Sequence, residues 1–216
     1  MQVKPLSEIL KEYHDFKPGW TKTEFHQLEN TKIGSIDHVV ICEDSGEPKW
    51  DQPAIREKPG SIIVPYFFED VYYLGIIEKS RGIIEDPITH KQGSIISIEF
   101  PMGYALKEEN LEETAKRELT EETQAVIKGL KYLGSINPLP AIYAEQKANE
   151  VFAAEIDMGK FNCMVINQKL SKAAKKEGII TAKYVSIYEI RDLIKENKIF
   201  CGLTQAAFAK FILSTP

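Results

Sequence analysis

Three acidic residues near the middle of the chain, Glu118, Glu121 and Glu122, are spaced i, i+3 and i+4. On a helix this spacing gathers the three carboxylates on one side within about one turn. Like charges so placed repel, and the C-terminal end of a helix disfavours anions. Such a cluster is either a solvated face with Lys116 and Arg117 as partners or the ligand set of a cation. The chemistry it suits is binding of a hard divalent ion such as Mg²⁺, which prefers oxygen ligands and bridges carboxylates to substrate phosphates.

The element that must carry these acids is a helix. The run after Gly103 has no Pro or Gly and is rich in Ala, Leu, Glu, Lys and Arg, which predicts a helix of about three turns. Asn110 is its candidate N-cap, with Glu113 three residues on. Leu111, Ala115 and Leu119 recur every four residues, so one stripe faces a core.

The stretch from Gly103 to Ala125 resembles the Nudix box, a pattern written G-x5-E-x7-R-E-U-x-E-E-x-G-U with U a bulky apolar residue. The matching positions are Gly103, Glu109, Arg117, Glu118, Leu119, Glu121 and Glu122. The match departs at the end, where Gln124 stands in place of the family's glycine and Ala125 is small for the last apolar position. That glycine permits the turn leaving the helix, so Gln124 bears on the helix exit. The resemblance implies a loop–helix–loop that binds Mg²⁺ or Mn²⁺ and hydrolyses a nucleoside diphosphate linked to another group.

The flanks resemble the ADP-ribose pyrophosphatases within that family. Glu99-Phe100-Pro101-Met102-Gly103 looks like their E-L-P-A-G lead-in. Glu78-Lys79-Ser80-Arg81 looks like their Q-x-R strand end, with Arg81 as the diphosphate contact. Pro140 falls where they carry an S-P-G segment, although Leu139 and Ala141 do not match, and Glu145 follows at the spacing of their downstream glutamate. The resemblance implies Glu118 and Glu122 as primary metal ligands, with Glu121 as a further ligand or a base and the Met102 carbonyl as another ligand. It implies Arg81, Glu99 and Pro140 at the substrate, and Gly103, Glu109 and Arg117 as structural parts of the box. A second catalytic glutamate comes, in that subfamily, from a loop before the last strand. Here the loop is about 157–178, and Glu177 is its only acid after Asp157. Lys169, Lys172, Lys175 and Lys176 nearby are either a solvated face or a device that steers an anionic substrate.

Composition bounds the remainder. The chain has 216 residues and a net charge of −5, which argues against a non-specific grip on nucleic acid. No apolar run approaches membrane-spanning length and no signal-peptide core opens the chain, so neither a membrane nor secretion is expected. Three scattered cysteines, Cys42, Cys163 and Cys201, suggest a reducing, cytoplasmic setting without a disulfide framework or a zinc site. The four histidines show no ligand spacing.

The expected architecture is α/β: a Nudix-type α/β/α sandwich with a mixed sheet over 58–216, plus a small β-rich extension over 1–57. The extension carries a helix at Leu6 to Tyr13, strands at Trp20 to Glu29 and Ile36 to Cys42, and a turn-rich boundary from Glu43 to Pro59. Two or three strands bury too little alone, so the extension should pack on the main domain or on a second copy in a homodimer. The expected function is Mg²⁺-dependent hydrolysis of ADP-ribose to AMP and ribose 5-phosphate. The alternatives are a Nudix hydrolase for a nucleotide sugar or dinucleotide, and a non-catalytic Nudix nucleotide sensor.

Overall fold

In the computed structural model, which describes residues 22–30, 34–42, 45, 47–85, 92–136, 149–158 and 170–215, the β-rich sequence before Lys58 forms three antiparallel strands. These are β1 (Lys22–Asn30), β2 (Gly34–Cys42) and β3 (Pro48–Glu57), paired in that order. The third strand corrects the reading of Glu43 to Pro59 as turns. Pro48 and Pro53 lie within β3, where Pro53 stands opposite His38. In the described sheet β3 has a neighbour on one edge only, and an edge position tolerates a residue without an N–H. The predicted helix at Leu6 to Tyr13, together with Pro140, Glu145, Cys163 and Lys169, lies outside the described residues.

The chain divides into two units, Met1–Glu57 and Lys58–Pro216. The second contains β4 (Gly60–Phe68), β5 (Tyr72–Glu85), β6 (Gln92–Glu99), β7 (Met102–Tyr104), α1 (Leu111–Thr123), β8 (Ile127–Ile136), β9 (Asn149–Ile156), α2 (Lys172–Lys176), β10 (Ile179–Ser186), α3 (Ile187–Lys195) and α4 (Gly202–Ser214). Its sheet runs β10-β5-β4-β9-β8, with β4 and β9 parallel and the other neighbours antiparallel.

Successive residues of β4 point to opposite faces, and both faces are covered. Ile62 and Val64 pack with Val151, Ala153, Ile190, Phe208 and Phe211, beneath α3 and α4. Ile63 packs with Phe152, Ala154, Ala115 and Leu119, beneath α1. The result is a mixed sheet between two helical layers. Among the described residues no helix is long and apolar enough to cross a membrane.

One irregularity in the sheet positions the candidate site. β4 pairs with β5 only from Tyr66 to Phe68, and the two strands then part. Beyond the fork, β6 takes the free edge of β5 and β7 takes the free edge of β4. The link between them, Phe100-Pro101, crosses the fork and is pinned there: Ile63 N donates to Pro101 O (2.9 Å), and Phe100 N donates to Thr204 Oγ1 (3.2 Å). β7 was not foreseen because three residues carry too little alternation to mark a strand.

Candidate active site

α1 lies over the fork. Its start is fixed by a capping box: Glu113 N donates to Asn110 Oδ1 (2.9 Å), and Asn110 N donates to Glu113 Oε2 (3.0 Å). The stripe through Ala115 and Leu119 is fully buried against the sheet. The α-helical advance of about 100° per residue then decides which acids go inward. Glu122 falls on the axis of that stripe and is 1% exposed, and Glu118 falls beside it and is 6% exposed. Glu121 lies further round the helix, and its side chain is 41% exposed.

A third acid meets the buried pair from another element. Glu177 follows α2 in a turn closed by Gly178 N donating to Lys175 O (3.1 Å). Gly178 has φ +80°, a conformation that favours glycine. The turn is tied to the sheet by Ser80 N donating to Gly178 O (2.8 Å). Carboxylate oxygens of Glu118, Glu122 and Glu177 all lie within 4.8 Å of one another. Glu121 is not in that group; it accepts a bond from Arg117 Nη1 (3.3 Å).

Such a cluster is electrostatically costly in a fold without a bound ion. Burial pushes the Glu122 carboxyl up to about 7, although the Lys79 ammonium pulls it down. Burial also raises Glu118, against the opposing pull of Arg117. Oxygen donors in close convergence, with their anionic forms penalised by burial, fit a hard divalent cation. Met102 belongs to the same site: its backbone N–H donates to Glu122 Oε2 (3.2 Å).

Gly103 is explained by space, since it is not among the glycines with positive φ. A Cβ there would lie 2.1 Å from Cδ and Oε1 of Glu118 and 2.6 Å from Oε2. The carboxyl of Glu118 fills the volume where any other residue would put its side chain.

Arg117 and Glu109 lock the loop between β7 and α1 onto the helix. Arg117 Nε donates to Glu109 Oε1 (2.8 Å) and Nη2 to Glu109 Oε2 (2.9 Å), while Nη2 also reaches Tyr104 O (3.0 Å). Arg117 Nη1 donates to Glu118 Oε1 (2.6 Å), so the lock also orients a cluster carboxylate. Glu109 further accepts bonds from Leu106 N and Thr114 Oγ1 (both 2.9 Å). The Arg117 hydrogen bonds, helped by these, hold the Glu109 carboxyl down at about 2 from an ordinary 4.5. A depressed carboxyl contributes stability above its unfolded pKa and loses it as pH falls through the folded one. The wild-type protein should therefore lose stability between about pH 4.5 and about 2, and Glu109→Gln should flatten that part of the profile while lowering stability at pH 7. Denaturant melts across the acid range check this; parallel profiles for the two proteins would contradict it.

The helix exit answers the Gln124 question. Gln124 adopts the left-handed conformation itself (φ 58°, ψ 17°), and its N–H donates to Thr120 O (2.9 Å). The turn survives without glycine at a conformational cost. Gln124→Gly should raise stability by up to about 1 kcal/mol, read as a higher denaturant midpoint at an unchanged m-value.

Arg81 and Glu99 are brought together, but with each other. Arg81 Nε donates to Glu99 Oε1 (3.0 Å) and Nη2 to Glu99 Oε2 (2.5 Å). Burial opposes the charge on Glu99, yet bonds from Arg81 and Ser97 outweigh it and its pKa falls. One side chain at the site was missed in the sequence: Lys79, 8% exposed, donates to Glu122 Oε1 (3.1 Å) and Glu177 Oε2 (3.3 Å). Alternation was the available signal. Ile77, Lys79 and Arg81 share one strand face, and Ile77 is in the core.

No protein-family model matches the chain, and no curated protein matches it either. Among solved structures, one described as an ADP compounds hydrolase is similar at a TM-score of 0.58 and 15% identity, over 90% of this chain and 95% of that one. Another, a NUDIX hydrolase from Nitrosomonas europaea, has a TM-score of 0.48 and 20% identity over 72% of this chain and 90% of that one. The first likeness concerns the fold, and the architecture expected from the Nudix resemblance, a mixed sheet between two layers of helices, is the one this chain has.

Proposed function

We infer that the protein is a Nudix-type pyrophosphatase that hydrolyses the diphosphate of a nucleoside diphosphate derivative, with ADP-ribose as substrate and AMP and ribose 5-phosphate as products. The observation that carries this reading is the convergence of Glu118, Glu122 and Glu177 at the fork of the sheet. The likeness to a structure described as an ADP compounds hydrolase supports it. So does the order of Arg81, Glu99 and the box along the chain.

Each residue then has a task. Glu118 and Glu122, with the carbonyl of Met102, hold Mg²⁺ or Mn²⁺, and Glu121 stands by as a further ligand or base. When bound, such an ion neutralises phosphate charge and acidifies water. Glu177 is the more exposed of the three clustered acids and receives the proton of the attacking water. A new bond from water oxygen to phosphorus forms, and the bond from phosphorus to the bridging oxygen breaks, that oxygen leaving with the second phosphate. Arg81 exchanges Glu99 for the diphosphate, and Pro140 is a further residue at the substrate. Arg117 and Glu109 position Glu118, and Gly103 leaves room for it. The unit Met1–Glu57 serves substrate contact and dimerisation in a cytoplasmic homodimer.

The test is a panel of ADP-ribose, GDP-mannose, NADH, flavin adenine dinucleotide and diadenosine polyphosphates with Mg²⁺, read by phosphate release through a coupled phosphatase. Preference for ADP-ribose is the expected result. Preference for another member would keep the acidic cluster and discard the roles of Arg81, Glu99 and Pro140. Binding without turnover of any member would overturn the enzymatic reading.

A further inference from the structure

Lysine is among the residues least often buried, and a buried ammonium needs charge partners. Among the described residues Lys79 has two, and both belong to the acidic cluster: Glu122 at 3.1 Å and Glu177 at 3.3 Å. Its place is fixed by backbone on both edges of β5. Lys79 stands opposite Ser97 of β6 and opposite Ile179 of β10, two residues beyond Glu177. The bond from Ser80 N to Gly178 O ties the same strand to the turn that carries Glu177. The ammonium and the carboxylate it bridges therefore rise from one bonded ladder, whereas Glu122 comes from α1.

Charge counting gives the consequence. Among the described residues, Glu118, Glu122 and Glu177 bring three carboxylates within 4.8 Å, which make three negative charges once a bound ion holds them all ionised. Arg117 also touches Glu118, but its charge is met by the bidentate pair with Glu109. Lys79 removes one of the three charges and leaves two, which a single divalent ion balances. A second divalent ion would sit among the same oxygens, within a few ångström of a fixed ammonium, and would be repelled. Ligand charge sets how strongly such oxygen sites bind.

We propose that Lys79 is a resident cation of the acidic site, standing where a second divalent ion would otherwise bind, so that the free protein takes one divalent ion per chain. This rests on the reading of the cluster as a metal site. It also explains how two buried carboxylates and Glu177 stay together when no ion is bound: Lys79 bridges Glu122 to Glu177.

The test is Mn²⁺ binding in the absence of substrate, by equilibrium dialysis or by the loss of the free-ion electron paramagnetic resonance signal. Wild type, Lys79→Gln and Glu122→Gln are compared, with thermal melts of each in EDTA and in Mn²⁺. The wild type should bind one Mn²⁺. Lys79→Gln should bind two, the first about tenfold or more tighter, because even water's dielectric leaves that much repulsion between an ammonium and a nearby divalent ion. In EDTA, Lys79→Gln should melt below wild type, and Mn²⁺ should raise its melting temperature more than that of wild type. A Lys79→Gln protein that folds only with Mn²⁺ would give the same support, the ion having replaced the ammonium. Unchanged affinity and stoichiometry in Lys79→Gln, with binding abolished by Glu122→Gln, would overturn the role of Lys79 and leave the metal site standing. Two ions on the wild type, or a Lys79→Gln chain that no Mn²⁺ concentration folds, would likewise overturn it. Absence of binding to wild type and Lys79→Gln alike would remove the metal site and this proposal together.

Discussion

Glu122→Gln is expected to leave the fold standing and to lower turnover of ADP-ribose by about 10²–10³-fold, the scale on which removal of one preorganised electrostatic group acts. Glutamine keeps the volume of the most buried acid in the cluster. Its amide oxygen can still accept from Lys79 Nζ or from Met102 N, the two donors that Glu122 now serves. What it removes is charge and an anionic ligand. The stability change has a definite sign. Between pH 4.5 and about 7 the ion-free native state holds a proton on Glu122 that the unfolded chain has released, so native stability falls across that interval as pH rises. Glutamine has no such penalty. In EDTA at neutral pH the mutant should melt no lower than wild type, while the stabilisation that Mg²⁺ or Mn²⁺ gives the wild type should be lost. A mutant with wild-type rates would remove the metal site from the mechanism. A mutant that unfolds would show that Glu122 is held for packing.

Gly103→Ala should cost activity on a similar scale, about 10²-fold, with little change in stability. Its backbone is ordinary strand, paired with Ser61. The obstacle is the Glu118 carboxyl 2.1 Å from the new Cβ. The far end of a glutamate side chain moves more readily than a paired strand, so the carboxylate swings out of the cluster and the sheet stays. Gly82→Ala is the control: among the described residues a Cβ there meets nothing within 4 Å, and activity should be unchanged. If Gly103→Ala melted far below wild type, the glycine would be serving the strand pairing. If it kept both stability and rate, the position of Glu118 would not matter to the chemistry.

The parts of this site that were legible in the sequence are the local ones. The stripe of Leu111, Ala115 and Leu119 already places Glu122 inward, because helical geometry relates positions three, four and seven apart. Asn110 and Glu113 mark the helix start through bonds that span one turn. Glu177 was singled out through the resemblance, by its place before the strand beginning at Ile179, and the turn through Gly178 brings it to Glu118 and Glu122. What was hidden depends on register and on tertiary contact. Arg81 stands opposite Ile95 and Glu99 opposite Ile77, so the two meet through the reach of their side chains along the β5–β6 ladder, and no local pattern fixes that register. Lys79 shows a strand parity that could have been read, but its partners lie 43 and 98 residues away. β3 was hidden because its prolines signal turns, and only its edge position in the described sheet lets them stay in a strand.

The most direct measurement is the fate of ADP-ribose with wild type and Glu122→Gln, each with Mg²⁺ and with EDTA, the products separated by anion-exchange chromatography. The expected result is AMP and ribose 5-phosphate in equal amounts from wild type with Mg²⁺, with the other three reactions near background. Cleavage that persists both in EDTA and in Glu122→Gln, or wild-type protein that leaves every nucleoside diphosphate derivative intact with Mg²⁺ and with Mn²⁺, would contradict a metal-dependent diphosphate hydrolase built on Glu118, Glu122 and Glu177.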